Sequence, residues 1–474
     1  MGRSHVRRER DDMTDHRTGY DVVVLGAGIA GLTVALSAVE HGLSVALLEK
    51  TAAVGGSSVM SGGFFAFSGT DEQRAHGVGD SAEAFLKDLL EVGAHRNDPA
   101  LLQQYLDHQQ DTYRWLKAHG AEFPVVEISS GQSFARSHHT PIRTLIPALA
   151  EQFTEAGGTL LCASRATELV RDAGGRVGEV VAETPDGLVR FAARRGVVIA
   201  SGGFSRGEEL LAVFAPDQLA AIPYGGLGNT GDGLRMAWKL GAGMADMSAV
   251  CGTYGSHPDT GIEFHELLTA YYLGAIIVNT AGRRFVDESI SYKSLGAACL
   301  AQPEGLGFQV FDAVVRARSH PGVPLNDIGM LEEIGHVHRA GTLEGLAEAA
   351  GIDPAGLVST VERYNAAVAG GEPDEQGRTG LVNGVGELVP VVEPPFYAYP
   401  AKTLMTTTYC GVTIDPHGRV LDVDGAVIPG LSAIGEVTGG FHGAAYMTGT
   451  SLGKGAVFGR IVAARLAAEA AAAA

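Results

Sequence analysis

Residues 20–50 read YDVVVLGAGIAGLTVALSAVEHGLSVALLEK, and few stretches restrict a fold more tightly. DVVVL is a continuous β-branched run, suited to a strand buried on both faces. GAGIAG follows at once, and apolar residues then recur at helical spacing over 30–41. Gly42 closes that pattern, and SVALLE reads as a second strand. Strand, glycine turn, helix and strand make a βαβ unit. In that context each glycine has its own task. Gly26 permits the tight turn, Gly28 lets a diphosphate come close, and Gly31 lets the helix pack on the strand, with Ala30 between them. The diphosphate would sit at the helix N-terminus. Glu49 ends the second strand, where a carboxylate can accept bonds from a ribose diol, and Lys50 follows it. Glutamate rather than a basic residue favours a plain adenosine ribose over a 2′-phosphate.

A second glycine-rich segment, VGGSSVMSGGFFAFSG, covers residues 54–69. Gly56 and the Gly62–Gly63 pair bracket Ser57 and Ser58. NAD does not need such a segment. FAD does, because its isoalloxazine ring must lie against backbone beyond the diphosphate.

The formal charge of −19, from 35 basic and 54 acidic residues, argues against nucleic acid or an anionic membrane surface as partner. No apolar run of about 18 residues is present, so no membrane span is expected. The polar residues 1–18 read as a flexible leader without a secretory apolar stretch. Four cysteines, Cys162, Cys251, Cys299 and Cys410, stand far apart with no CxxC, so covalent haem, an iron–sulfur cluster and a zinc site are not expected. Reduced buried thiols in a cytoplasmic protein are the plain reading. Glycine, 66 of 474 residues, is about twice its usual ~7%. Close backbone–ligand approaches should therefore be frequent.

Farther along, residues 81–120 have helical spacing, with Asp98–Pro99 as N-cap and N1. Residues 176–207 read as a β-meander turning at 185–187 and ending in an apolar strand before Ser201, Gly202 and Gly203. GNTGDG then opens a helix at Asp232. From about 247 to 401 the glycine signatures fade, and short strands alternate with small helices, as in an inserted cap domain. The stretch FHGAAYMTGTSLGKG, residues 441–455, is a glycine-rich loop entering an Ala-rich helix. RSHHTPIR, residues 136–143, reads either as a solvated polar loop or as a substrate-carboxylate or flavin contact through Arg136, His138 or Arg143.

VVVLGAGIAGLTVALSA, LLEK, GGSS, SGG, VVIASGGF, GNTGDGLRMAWKLGA, GAIIVNTAGRRFVDE, AIGEVTGGFHGA and GRIVA occur in that order. The set resembles the flavoprotein family of soluble fumarate reductases and 3-ketosteroid dehydrogenases. The resemblance implies an α/β fold: a Rossmann-type FAD-binding domain, 19–247 plus 402–474, with an inserted α+β cap domain, 248–401. It implies hydride transfer between a substrate carbon and flavin N5. Glu436 would hold the FAD ribityl chain or its neighbourhood, and the amides of Ser451 and Leu452 would face the flavin pyrimidine oxygen. The residues assigned to the cofactor also include Ala166. Family members with covalent FAD use a histidine in the Ser-Gly-Gly region. None lies between Thr51 and Thr70, so non-covalent FAD is expected.

The chain departs from the fumarate reductase pattern where that enzyme carries substrate-clamping arginines. Tyr292 and Tyr446 stand in those two places, and Leu267–Leu268 replace an expected Thr-Glu pair. Two tyrosines, with Thr448 two positions after the second, resemble the ketosteroid Δ4-dehydrogenase branch. That implies desaturation of a cyclic ketone, a 3-ketosteroid or a small ring such as 4-oxocyclohexanecarboxylate, passing electrons to an external acceptor. Tyr446 with Thr448 would polarise the carbonyl and Tyr292 would take the α-proton, or the roles are reversed. His442 and His257 are further catalytic candidates, and Gly449 a substrate contact. The alternatives are an enone or enoate reductase and a non-catalytic flavin-binding protein. Substrate, acceptor and oligomeric state stay open.

Overall fold

The computed structural model describes residues 17–129, 131–261, 267–321, 325–370, 373–382 and 384–472. Its first strand, β1 (Arg17–Leu25), is the apolar run of the opening motif, and Val22, Val23 and Val24 are fully buried. It pairs in parallel with β2 (Val45–Leu48), Val22 opposite Val45 through Leu25 opposite Leu48. On its other side it pairs in parallel with β3 (Gly187–Ile199), and β3 in turn with β4 (Val427–Ala433). Thr159–Leu161 extends the sheet beyond β2, and Arg419–Leu421 lies antiparallel to β4. The expected meander is present. Arg165–Arg171, Val177–Thr184 and β3 run antiparallel in succession. This eight-stranded mixed sheet is the frame of a Rossmann-type domain.

Helix α1 (Ile29–Glu40) crosses from β1 to β2 and is buried over most of its length. The C-terminal helix, α2 (Thr450–Ala472), lies directly on it. Gly455 and Gly459, one turn apart, are what allows this. A Cβ on Gly455 would stand 3.2 Å from Ala30 Cβ, and one on Gly459 would stand 3.1 Å from the Val34 nitrogen. Each glycine costs about 0.5–1 kcal/mol of helix propensity, which the close packing offsets.

The helices read over 81–120 are Ala82–Val92 and Pro99–Ala118, and the Asp98 side chain caps the second by accepting from the Ala100 N–H. RSHHT is not a solvated loop. Ser137–His139 is a strand held between Phe64–Ala66 and Val125–Glu127, and Arg136, Ser137 and His138 are fully buried.

The chain divides into two units. One comprises residues up to 204, 226–249 and 409 onward; the other comprises 205–225 and 250–408. The second is built on the long strand Phe396–Thr408, which pairs antiparallel with Val250–Ser256, Gly307–Phe311 and His338–Ala340. Its limits differ from those read in the sequence, 248–401. Residues 205–225 join it because Ile222–Pro223 forms a parallel pair with Leu404–Met405. No helix among the described residues is long and apolar enough to cross a membrane.

The second unit contains a buried ion cluster. Glu288 accepts from Arg284 Nε (2.7 Å) and Nη2 (2.6 Å) and from the Ile277 N–H (3.0 Å), while Asp374 holds the other side of Arg284. Removing one partner of such a pair leaves an uncompensated buried charge. Glu288→Ala is expected to destabilise the protein by about 3–5 kcal/mol, read as a lower thermal midpoint.

Candidate functional site

The glycine turn after β1 is a cradle that side chains would fill. Gly26 has φ +101°, and a Cβ there would stand 2.5 Å from the Ala200 oxygen. A Cβ on Gly31 would run into the Gly26 carbonyl. Gly28 is the N-cap of α1, with no side-chain cap and no acidic residue in the first turn. The positive end of the helix therefore meets no negative charge from its own first turn, which suits an outside anion. Glu49 is buried beside this turn. It accepts the Ala27 N–H at 2.9 Å through one oxygen and the Thr51 N–H and hydroxyl, both at 2.8 Å, through the other. A carboxylate has about four acceptor positions, so room remains for a ribose hydroxyl. Ser201 Oγ, at the end of β3 near Gly26, is buried with no hydrogen-bond partner. These features fit a dinucleotide.

The second glycine segment is tied to the first, because Ser58 Oγ accepts the Ile29 N–H at 3.0 Å. Gly63 has φ +72°, and its carbonyl accepts the Thr140 N–H at 2.9 Å. Gly62 precedes it, and Gly56 abuts Gly226 backbone to backbone. Ser57 Oγ accepts from the Gly226 N–H (3.0 Å) and from Asn229 Nδ2 (2.9 Å), and the same amide donates to Glu436 Oε2 at 2.8 Å. A Cβ on Gly202 would come within 3.2 Å of the Asn229 amide and 3.5 Å of the Glu436 carboxylate. Gly203 accepts the Gly231 N–H through its carbonyl. Ser57, Gly202 and Glu436, far apart in sequence, therefore meet at one amide. Asn229 was missed in the sequence reading. Its only signal was its place inside GNTGDG.

Lys50 and Asp232 hold each other. Lys50 Nζ lies 3.0 Å from Asp232 Oδ2 and 2.7 Å from Thr230 Oγ1, and Arg165 Nε lies 3.1 Å from the same Asp232 oxygen. They clamp the GNTGDG helix to the end of β2. Ala166 sits in the adjoining strand opposite Ala182.

The loop 441–449 carries an aromatic cluster. Tyr446 stacks on Tyr409 with ring centroids 4.8 Å apart, and His442 meets both rings edge-on, at 5.9 and 5.6 Å. Tyr409, buried, was also missed in the sequence reading. Thr450 Oγ1 donates to the Met447 carbonyl at 2.6 Å, so it can only accept from His442 Nε2, 3.1 Å away. That fixes the Nε2–H tautomer and leaves Nδ1 as an acceptor. Thr448 Oγ1 is buried and has no hydrogen-bond partner, while its carbonyl accepts from Gln132. Gly449, at φ +87°, accepts the Ala66 N–H through its carbonyl. Ser451 and Leu452 form the first turn of α2. Beneath them Lys454 is buried and donates to the Thr438 carbonyl at 3.0 Å, and burial holds its ammonium down to about 8.

In the second unit, Tyr292 begins the helix Tyr292–Leu300, and the Lys293 ammonium lies 5.8 Å from its ring. His257 is buried, stacked face to face on His336 at 3.7 Å, and its Nδ1 accepts the Asp259 N–H. Burial, with His336 beside it, pushes its pKa down to about 4, so at neutral pH it is an uncharged imidazole.

The RSHHTPIR residues require correction. Arg136 is fully buried, bidentate on Asp80 at 2.7 Å and paired with Asp88, with the Phe85 ring 4.7 Å away. His138 has both nitrogens engaged, one with Thr70 Oγ1 and one with the Arg136 carbonyl, each at 2.7 Å. Both are structural groups, closed off from a substrate carboxylate. Arg143 is exposed and donates to the Val59 carbonyl at 3.0 Å.

Known proteins match this arrangement over nearly the whole chain. The FAD binding domain family model, FAD_binding_2, fits residues 21–452. The chain is 31% identical over 448 residues to a fumarate reductase (cytochrome) of Shewanella frigidimarina, covering 93% of this chain and 76% of that one. It is 30% identical over 555 residues to 4-oxocyclohexanecarboxylate 2-dehydrogenase of Sinomonas cyclohexanicum, covering 94% and 93%. Among solved structures it is similar to 3-ketosteroid-Δ4-(5α)-dehydrogenase of Rhodococcus jostii RHA1. The TM-score is 0.77 and the identity 26%, over 97% of this chain and 99% of that one.

Gly31→Ala is expected to abolish flavin retention, measured as flavin absorbance copurifying with the protein. Gly42→Ala, where a Cβ meets nothing within 4 Å, should keep the flavin and lose only a little stability. The pKa of His257 is lower in the folded state, about 4, than the ordinary histidine value of about 6.5. Between those values the unfolded chain binds more protons. Stability should therefore fall as pH drops from 6.5 toward 4, by up to about 3 kcal/mol. His257→Asn should flatten the dependence of the thermal midpoint in that window.

Proposed function

This chain belongs to the FAD binding domain family and is an FAD-dependent oxidoreductase, and from that premise we propose that it desaturates the α,β-bond of a cyclic ketone. One observation carries the reading. The loop 441–449 offers a stacked phenol, Tyr446 on Tyr409, and a buried hydroxyl without a partner, Thr448, and it contains no arginine. A dicarboxylate needs cationic forks. A ketone needs neutral donors at its oxygen, which the phenol and the Thr448 hydroxyl can supply.

The proposed division of labour follows from that chemistry. Bound FAD would supply the acceptor for the hydride of the β-carbon. The Tyr446 hydroxyl, with Thr448, holds the carbonyl oxygen and stabilises the negative charge that gathers there as the α-proton leaves. The stack on Tyr409 and the edge-on His442 fix the direction of that phenol. Tyr292 takes the α-proton. An ordinary tyrosine has a pKa near 10, so forming its anion at neutral pH costs about 4 kcal/mol. Lys293, buried with its ammonium 5.8 Å from that ring, places a positive charge that offsets part of that cost. Ser57, Asn229 and Glu436 orient the cofactor.

The similarity to a 4-oxocyclohexanecarboxylate dehydrogenase and to a ketosteroid dehydrogenase supports a ketone substrate. The equal similarity to a fumarate reductase keeps a second reading in play, reduction of an enone or enoate. Arg136 is committed to Asp80 and Asp88, so it does not help the case for a small oxo-acid over a steroid.

Anaerobic titration with 4-oxocyclohexanecarboxylate and with saturated 3-ketosteroids should bleach the flavin spectrum with at least one of them. Bleaching by no ketone, with reoxidation of the reduced enzyme by enones, would favour the reductase. Tyr446→Phe should lower kcat by about 10²-fold or more with the flavin spectrum unchanged. Tyr292→Phe should lower it by about 10²–10⁴.

A further inference from the structure

The chain has 54 acidic residues against 35 basic ones, so a place where arginines gather needs a reason. On the first unit a cavity of about 190 Å³ is bounded by the end of β3, by β4 and by α2. Arg176, Arg195, Arg419 and Arg465 line it, with Glu469 as the one carboxylate among the lining residues. Gly196 and Gly430 bring the two strands together there. A Cβ on Gly196 would stand 3.0 Å from the Gly430 oxygen, and one on Gly430 would stand 2.8 Å from Arg176 Cγ. None of these residues is assigned to the cofactor or substrate.

Two of the four cations are matched nearby. Arg465 pairs with Glu469 at 2.7 Å and Arg419 with Asp415 at 2.6 Å. The other two are less well matched, Arg195 having only a 3.5 Å ion pair with Asp21. Arg176 donates to backbone carbonyls alone, those of Val177, Ala193 and Arg195. Arg195 Nε is buried without a hydrogen bond, and the nearest oxygen of Asp21 is 3.5 Å away, itself hydrogen-bonded by Arg194. A buried donor with no acceptor is an unfavourable feature that a ligand acceptor would relieve.

We propose that this cavity binds a phosphate group. Guanidinium forks match phosphate oxygens geometrically, and several cations around one small volume suit a dianion better than a single carboxylate. The size sets a limit. Drug-sized ligands occupy roughly 300–1,000 Å³, so this cavity takes free phosphate or the phosphate of a small ester and not a nucleotide. Binding joins α2 to β3 and β4 and stabilises the first unit.

The test uses the FAD-loaded protein and its thermal midpoint in about 20 mM inorganic phosphate, against chloride and acetate at equal ionic strength. Phosphate should raise the midpoint by about 2 °C or more, saturably. A glycerol 3-phosphate arm separates the sources. An equal shift there means that a phosphate ester is accepted, and a shift with inorganic phosphate alone means that the free ion is the ligand. Arg195→Gln should remove the shift while flavin content and turnover stay as they were. Glu469→Gln, which frees Arg465, should tighten phosphate binding about threefold or more. A structural role alone would not produce that opposite sign. No shift beyond chloride, an equal shift with acetate, or a phosphate shift indifferent to both substitutions (an adventitious ion only) would overturn the proposal.

Discussion

The first unit depends on one backbone approach, that of α1 to the turn that precedes it. Gly31 lies so close to the Gly26 carbonyl that a methyl group could not be placed between them. This contact aims the start of α1 at the turn, where Ser58 takes the Ile29 amide and the first turn has no acidic side chain. It also sets the height at which α2 can lie on α1, through Gly455 and Gly459. The first turn of α2 carries the aromatic loop with it, since Thr450 bonds Met447 and His442. A packing constraint thirty residues from the chain's beginning thus positions the tyrosine assigned to the substrate near its end.

Charge in this protein is used mostly for construction. Arg136, Arg284 and Arg378 are all buried and paired with carboxylates. Such pairs give little net stability, because desolvation cancels most of the attraction, but each one makes alternative arrangements of its neighbours costly. Arg136 fastens two carboxylates of one helix, Asp80 just before it and Asp88 within it, to a three-residue strand. Lys50 and Asp232 do the same between β2 and the GNTGDG helix.

This explains what could be read in the sequence. The glycine turn, the parallel strands beside it and the meander were legible, because local backbone geometry dictates those residues wherever they occur. Family membership and FAD were legible for the same reason: the motifs are short and their order is fixed. Arg136 was read as a ligand contact because an arginine beside histidines looks functional. Its partners, Asp80 and Asp88, stand some fifty residues earlier, and no periodicity links them to it. Asn229 and Tyr409 escaped notice because their importance is a matter of three-dimensional neighbours, Ser57 and Glu436 for one and Tyr446 and His442 for the other. The grouping of 205–225 with the second unit could not be read, because a two-residue parallel pairing leaves no pattern.

The two units also differ in when they can be finished. The second unit's strands, from Ile222–Pro223 to Phe396–Thr408, have all been synthesised before β4 exists. The first unit's βαβ precedes the second unit in the chain, yet β4, the aromatic loop and α2 follow it. During translation α1 therefore waits with one buried face uncovered while some four hundred residues are added, and contacts so distant in sequence are slow to form. The insertion can settle into its own core in that interval. The core of the first unit, by contrast, is complete only once β4 and α2 have followed the whole of the second unit.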